Sequence, residues 1–248
     1  MNLARSKREI AENGFTIIND VFTPEEVSVI LHLITWADTA KDTFRKSDDL
    51  FAIRQFLKEV PDVAGTILSE KLRMLIKELF GPEYFPVKSI YFDKPKQSNW
   101  FVAYHQDLTI SVEHKVEVEG FGPWTVKQNQ FAVQPPLSIL ENIFTFRIHL
   151  DDTDEGNGAL KVVPGSHAKG IYRPETIDWT VEKEVFCNVQ KGGIMIMRPL
   201  LLHASNRTTT DHQRRVVHIE FSDKKLPVPL KWAELLTNDC DNEVAISR

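Results

Sequence analysis

The chain has 248 residues, 42% hydrophobic and 26% charged, the make-up of an ordinary globular protein with room for one substantial core but not two full domains. A formal net charge of -5, with basic runs no longer than Ser6-Lys7-Arg8 and Asp223-Lys224-Lys225, gives no electrostatic reason to expect nucleic acid or an anionic membrane as partner. The two cysteines, Cys187 and Cys240, form neither a CxxC pair nor a disulfide framework, so a bound metal must rely on histidine and carboxylate.

In chain order, the charged start leads into no signal-like apolar run, and no stretch reaches the roughly 18 apolar residues of a membrane span, which points to the cytoplasm. After a short apolar strand at Gly14–Ile18, Thr23-Pro24-Glu25-Glu26 supplies an N-cap, a proline at the first helical position and a glutamate able to close a capping box. Val27, Ile30, Leu31 and Ile34 then form one apolar face. A second helical stretch is expected from Ala64 to Phe80, with Ile67, Leu68, Leu72, Leu75, Ile76 and Leu79 as its stripe and Gly81-Pro82 as its stop. From Phe85 onward the pattern changes to short strands rich in Val, Ile, Phe and Tyr, separated by turn clusters such as Asp152–Gly158. The chain therefore reads as a single domain: residues 1–84 a mainly helical buttress, 85–222 a β barrel or sandwich, 223–248 a tail.

Two strands carry information about faces, because side chains alternate along a strand. Phe144, Phe146, Ile148 and Leu150 oppose Thr145, Arg147 and His149; Arg215, Val217, Ile219 and Phe221 oppose Arg214, Val216, His218 and Glu220. Solvent-facing strands alternate too. In a barrel covered by helices, however, the apolar faces can pack outward on the helices while the polar faces line a cavity, where a metal would sit.

His105-Gln106-Asp107 places an imidazole and a carboxylate at i and i+2, on one side of an extended segment, as neighbours able to bind one ion. The match is weak alone, and His149-Leu150-Asp151 and His218-Ile219-Glu220 are rivals. His149 and Asp151 run into an acidic turn, and a structural pairing of His218 and Glu220 with Arg214 is the simpler reading of the other. His105 instead follows the strand Trp100–Tyr104, and far downstream Leu200–Leu202 ends in His203, a distant third ligand. Arg214 follows, with Ser205 two residues after the histidine; a guanidinium can hold a carboxylate bidentately, although Arg214-Arg215 also reads as an exposed basic pair.

Taken in order, His105-Gln106-Asp107-Leu108, Leu150-Asp151-Asp152, Gly156-Asn157-Gly158-Ala159-Leu160, Val162-Val163-Pro164-Gly165-Ser166-His167, Pro199–Ser205 and Arg214 resemble the phytanoyl-CoA dioxygenase family of Fe(II)/2-oxoglutarate oxygenases. Asn13-Gly14-Phe15 through Glu26 also looks like that family's opening, so the resemblance covers nearly the whole chain. It implies a mainly β fold: a double-stranded β-helix, a cupin-like jelly roll, buttressed by N-terminal helices. It implies His105, Asp107 and His203 as iron ligands, Arg214 on the distal carboxylate of 2-oxoglutarate with Ser205 assisting, and Ile90 and Arg147 as further co-substrate contacts. Arg147 departs from the aromatic residue expected in the phytanoyl-CoA enzyme itself. His167 reads as part of a structural turn.

The implied reaction uses O2 and 2-oxoglutarate, releases succinate and CO2, and hydroxylates a small molecule; Asp107 speaks against halogenation, whose enzymes lack the carboxylate. The poorly periodic segment Thr109–Gln134, with Glu113, His114, Trp124, Lys127, Gln128 and Gln130, is expected to be a lid or binding loop. Two alternatives are a cupin-like binding module without catalysis, and a zinc hydrolase using the same ligands.

Overall fold

In the computed structural model, which describes residues 2–37, 40–48, 51–96, 98–127 and 130–235, a helix not anticipated from the sequence opens the chain. This α1 (Leu3–Asn13) is capped by the Asn2 side chain, which accepts the Arg5 amide at 3.0 Å, and stopped by Gly14 at φ 84. A side chain at Gly14 would also collide with His167, its Cβ 2.5 Å from Nδ1. Strand β1 (Phe15–Ile18) leads to α2 (Pro24–Ile34), where the capping box forms as expected: Thr23 Oγ1 accepts the Glu26 amide at 3.2 Å, and Glu26 accepts that of Thr23 at 2.8 Å.

A hairpin unseen in the sequence, β2 (Phe44–Lys46) and β3 (Phe51–Arg54), precedes three helices: α3 (Phe56–Glu59), α4 (Val63–Ile67) and α5 (Glu70–Phe80). The single helix expected over 64–80 is thus two, broken at Leu68-Ser69. The apolar stripe survives the break, and Ile67, Leu68, Leu72, Leu75, Ile76 and Leu79 are all buried.

The remaining strands are β4 (Phe85–Lys94), β5 (Val102–His105), β6 (Ile110–Val112), β7 (Trp124–Lys127), β8 (Gln130–Val133), β9 (Ile143–His149), β10 (Leu160–Val162), β11 (Val185–Phe186), β12 (Ile194–Met197), β13 (His203–Ser205) and β14 (Arg214–Ser222). They build the mainly β jelly roll from a seven-stranded sheet, β1-β12-β9-β14-β4-β3-β2, and a four-stranded one, β11-β10-β13-β5. β14 is flanked antiparallel by β4 and β9. The outward face of this sheet, including Phe144, Phe146, Ile148, Val217, Ile219 and Phe221, forms the main core with the N-terminal helices. Full burial of each such side chain contributes about 1.5–3 kcal/mol. The opposite face carries Arg147, His149, Arg214, His218 and Glu220, all buried.

Much of the segment expected as a loop, 109–134, is a small sheet, β6-β8-β7; Gln128 lies outside the described residues. The chain after β14 runs back along β6: Trp232 bridges Val112, the Glu113 amide donates to Lys231 O at 3.0 Å, and the Ala233 amide to Ser111 O at 3.0 Å. Trp232 and Leu230 are buried in a second apolar cluster with Val112 and Val133. Among the described residues, no helix is long and apolar enough to cross a membrane.

Candidate metal centre

β5 and β13 pair antiparallel with His105 directly opposite His203, which sets the two imidazoles side by side, ring centres 4.2 Å apart. Asp107, just past the end of β5, is fixed by its amide, which donates to Pro199 O at 2.9 Å. Its two carboxylate oxygens lie 3.9 Å from His105 Nε2 and 3.8 Å from His203 Nε2, and candidate ligand atoms of the three residues are within 4.8 Å of one another. Both rings present the same atom. His105 Nδ1 lies 2.9 Å from Ala103 O and His203 Nδ1 2.9 Å from Leu201 O, so each Nδ1–H donates to the carbonyl two residues back and each Nε2 keeps its lone pair for a metal.

Gln106, between His105 and Asp107, points away from them and is buried. Its Nε2 donates to Leu200 O at 2.6 Å and Gly170 O at 2.8 Å, and its Oε1 accepts the Tyr172 amide at 2.9 Å. It ties the ligand strand to the two loops behind it, a role that alternation suggests only once the neighbouring loops are known.

Electrostatics favour metal-binding protonation states at two of the candidate ligands, His203 and Asp107. Burial pushes the His203 imidazole down to about 4, against the opposing pull of Asp107, so it is neutral at pH 7. Burial also works against charge on Asp107, but His203, Lys88, His218 and His105 together hold its carboxyl well below the usual range. The result is a neutral nitrogen on His203 and a carboxylate on Asp107 beside the Nε2 of His105, a two-nitrogen, one-carboxylate donor set of the kind that suits divalent iron with further positions open.

Deeper in the barrel, Arg147 Nη1 donates to His218 Nδ1 at 3.1 Å, His218 Nε2 donates to Glu220 Oε1 at 3.2 Å, and Lys88 donates to Glu220 at 2.6 Å. His218 and Glu220 are therefore paired, as expected, but with Arg147 and Lys88 and not with Arg214. Asp107, His218 and Glu220 also converge within 4.8 Å, but Lys88 already supplies the cation there. The other rival dissolves too. Asp151 takes both Arg215 Nε at 2.9 Å and Nη2 at 2.6 Å, and His149 Nδ1 lies 2.8 Å from the Thr153 hydroxyl.

Arg214, at the start of β14, is the reverse of an exposed basic pair. It is 3% exposed, its Nε and Nη1 have no partner, and burial together with the charge of Arg147 pushes it down to about 9. Arg147 Nε is likewise unpartnered. Arg147 lies close enough to Asp107, His203 and Arg214 to act electrostatically on all three. Two buried guanidiniums with open donors in one barrel fit an elongated dicarboxylate, which would meet the orphaned donors and cancel the repulsion. Ile90 faces the same interior opposite His218, and Ser205 is buried at the end of β13, past a register shift from His203. Arg198 donates to Glu141 O at 2.6 Å and lies over the Phe144 ring. His167 stays in its turn, its Nε2 3.3 Å from Ala11 O.

The family model described as phytanoyl-CoA dioxygenase matches residues 10–216. No curated protein sequence matches significantly. Among solved structures, EctD from S. alaskensis, with 2-oxoglutarate and 5-hydroxyectoine, superposes with a TM-score of 0.68 at 19% identity, over 88% of this chain and 75% of that one. The non-heme alpha ketoglutarate dependent epimerase SnoN from nogalamycin biosynthesis gives 0.66 at 16%, over 96% and 93%; the carbocyclase SnoK from the same biosynthesis gives 0.64 at 16%, over 88% and 83%. At these identities the likeness is one of fold.

Proposed function

The chain belongs to the phytanoyl-CoA dioxygenase family, and from that premise we propose that it is a cytoplasmic Fe(II)- and 2-oxoglutarate-dependent dioxygenase that hydroxylates a small molecule. His105, Asp107 and His203 hold the iron, and Arg214 takes the distal carboxylate of 2-oxoglutarate, with Arg147, Ser205 and Ile90 lining its path. Iron and 2-oxoglutarate, when bound, supply the oxidation, in which O2 and 2-oxoglutarate give succinate, CO2 and an oxygenated substrate. The protein contributes two imidazole nitrogens, an ionised carboxylate, a buried cation for the co-substrate and a barrel that limits water. Hydroxylation is the proposed outcome, although the fold also serves enzymes named as a carbocyclase and an epimerase.

The observation that carries this reading is the pair of open sites in one barrel: the His105–Asp107–His203 group and the buried Arg214, whose Nε and Nη1 have no partner. A binding module would not require both, and a zinc hydrolase would have no use for the second. The test is succinate formation from 2-oxoglutarate by protein loaded anaerobically with Fe(II) and then given O2. His105→Ala should abolish it. Arg214→Lys should raise the 2-oxoglutarate requirement about 10- to 100-fold, the loss of a charge-assisted hydrogen bond worth about 1.5–3 kcal/mol. Wild-type protein that binds no 2-oxoglutarate in the Fe(II) form would sink the proposal.

A further inference from the structure

A cavity of about 500 Å³ opens between β3, β4, the small sheet and the segment after β14, within the range that holds small molecules. Lys88 connects it to the metal centre: it lines the cavity and pairs with Glu220, whose carboxylate lies within 4.8 Å of Asp107. Ligand cavities are usually lined mainly by apolar side chains, and a long acyl chain would need such a wall. Here polar and charged residues outnumber apolar ones among the described lining residues, and Ile90, Val112 and Phe131 are the large apolar side chains among them.

Three of these polar groups keep hydrogen-bonding or ion-pairing capacity that the protein does not use. Arg54, at the end of β3, is half-buried, has no carboxylate within ion-pair distance among the described residues, and is pushed down by burial and by Arg45. Gln130 Nε2 is a buried donor with nothing to donate to. Glu234, 1% exposed, accepts the Ser89 hydroxyl on Oε2 at 2.6 Å, while its Oε1 is buried and unmet. Burial pushes the Glu234 carboxyl up to about 7. The remaining cations are occupied or peripheral: Lys88 is taken by Glu220, Lys58 donates to Ala233 O, and Lys127 is exposed. Buried groups left unsatisfied in a folded protein cost free energy unless a ligand meets them.

Resting on the function proposed above, we infer that the substrate is a small hydrophilic anion, its carboxylate or phosphate taken by Arg54 and an amine or hydroxyl hydrogen-bonded to Glu234. An anion at Arg54 offsets the cost of a guanidinium held half-buried beside another. A donor on the same molecule meets Oε1 of Glu234, and an acceptor can meet Gln130.

The test uses the Fe(II)-loaded full chain with 2-oxoglutarate and O2, and reads succinate formation relative to each protein's own substrate-free rate. The probes are three fractions of a yeast metabolite extract: water-soluble and retained by an anion exchanger, water-soluble and unretained, and chloroform-soluble. The retained fraction should stimulate wild type at least tenfold. Arg54→Gln should lose most of that stimulation, Arg54→Lys should regain part of it, and Glu234→Gln should lower it to an intermediate degree. Phosphatase treatment then separates a phosphate ester, whose effect disappears, from a carboxylate, whose effect stays. Stimulation by either other fraction, by none, or undiminished in Arg54→Gln while that variant keeps its circular dichroism and melting temperature would overturn the inference. Failure of the underlying function is distinguishable, since it would appear as loss of the Fe(II)–2-oxoglutarate charge-transfer absorption in anaerobic wild type.

Discussion

Glu220 is 2% exposed and sits between Lys88 and His218, so its charge is paired entirely by protein groups. Breaking one side of a buried pair costs more than removing both, because the survivor is left charged and unpaired. Glu220→Leu should therefore lose about 3 kcal/mol in urea unfolding, and Lys88→Met added to it should recover part of that loss. Glu234 gives a pH signature of the opposite kind. Its carboxyl is raised from 4.5 to about 7, so the folded state holds a proton that the unfolded state has released, and stability is fully present below 4.5 and falls as pH rises to about 7. Glu234→Gln should flatten that decline by roughly 3 kcal/mol relative to wild type over the window. At this scale the sequence is informative wherever local spacing carries the chemistry, as in His105-Gln106-Asp107. It is silent on Lys88, Gln106 and Glu234, whose roles depend on partners 132, 94 and 145 residues away.

Elements with strong local signals are legible, and those without are not. The cap and proline of α2 and the faces of β9 and β14 follow from a few adjacent residues, and the structure has them. Thr23→Ala removes the side-chain acceptor of the capping box and should lower stability by about 1 kcal/mol, seen as a fall in melting temperature. By contrast α1 is mostly polar and buries only Ser6 and Ile10, which leaves little apolar periodicity to read. Strands β6, β7 and β8, of three to four residues each, are too short to display alternation, so a small sheet reads as a loop. The break at Leu68-Ser69 is equally hidden, because the apolar stripe runs through it and only the backbone changes course.

For the molecule as a whole, both ends of the described chain complete the jelly roll. β1 adds an edge strand to the larger sheet beside β12, and residues 230–235 run along β6 and carry Glu234 to the cavity. Trp232 anchors that segment in the second core, its indole N–H donating to Lys224 O at 3.0 Å. Trp232→Ala should cost about 3–5 kcal/mol and, by loosening the segment, raise the substrate KM more than it lowers kcat; equal effects on both would argue against a wall role. Pairings between chain segments this distant depend on closure of the whole domain, and no local pattern in either segment announces them.

The paired ring tautomers at His105 and His203 have one more consequence. Main-chain carbonyls orient both imidazoles before any ion arrives, so the proposed site is preformed, and its ligand types alone do not favour iron over other divalent metals. A two-nitrogen, one-carboxylate site follows the general order of divalent affinities, in which copper and zinc outrank iron. The choice of metal then passes to the cell's supply of free ions, and protein isolated in air with trace zinc would be inert yet correctly folded. Stripping with a chelator and reloading under nitrogen should restore it without a refolding step.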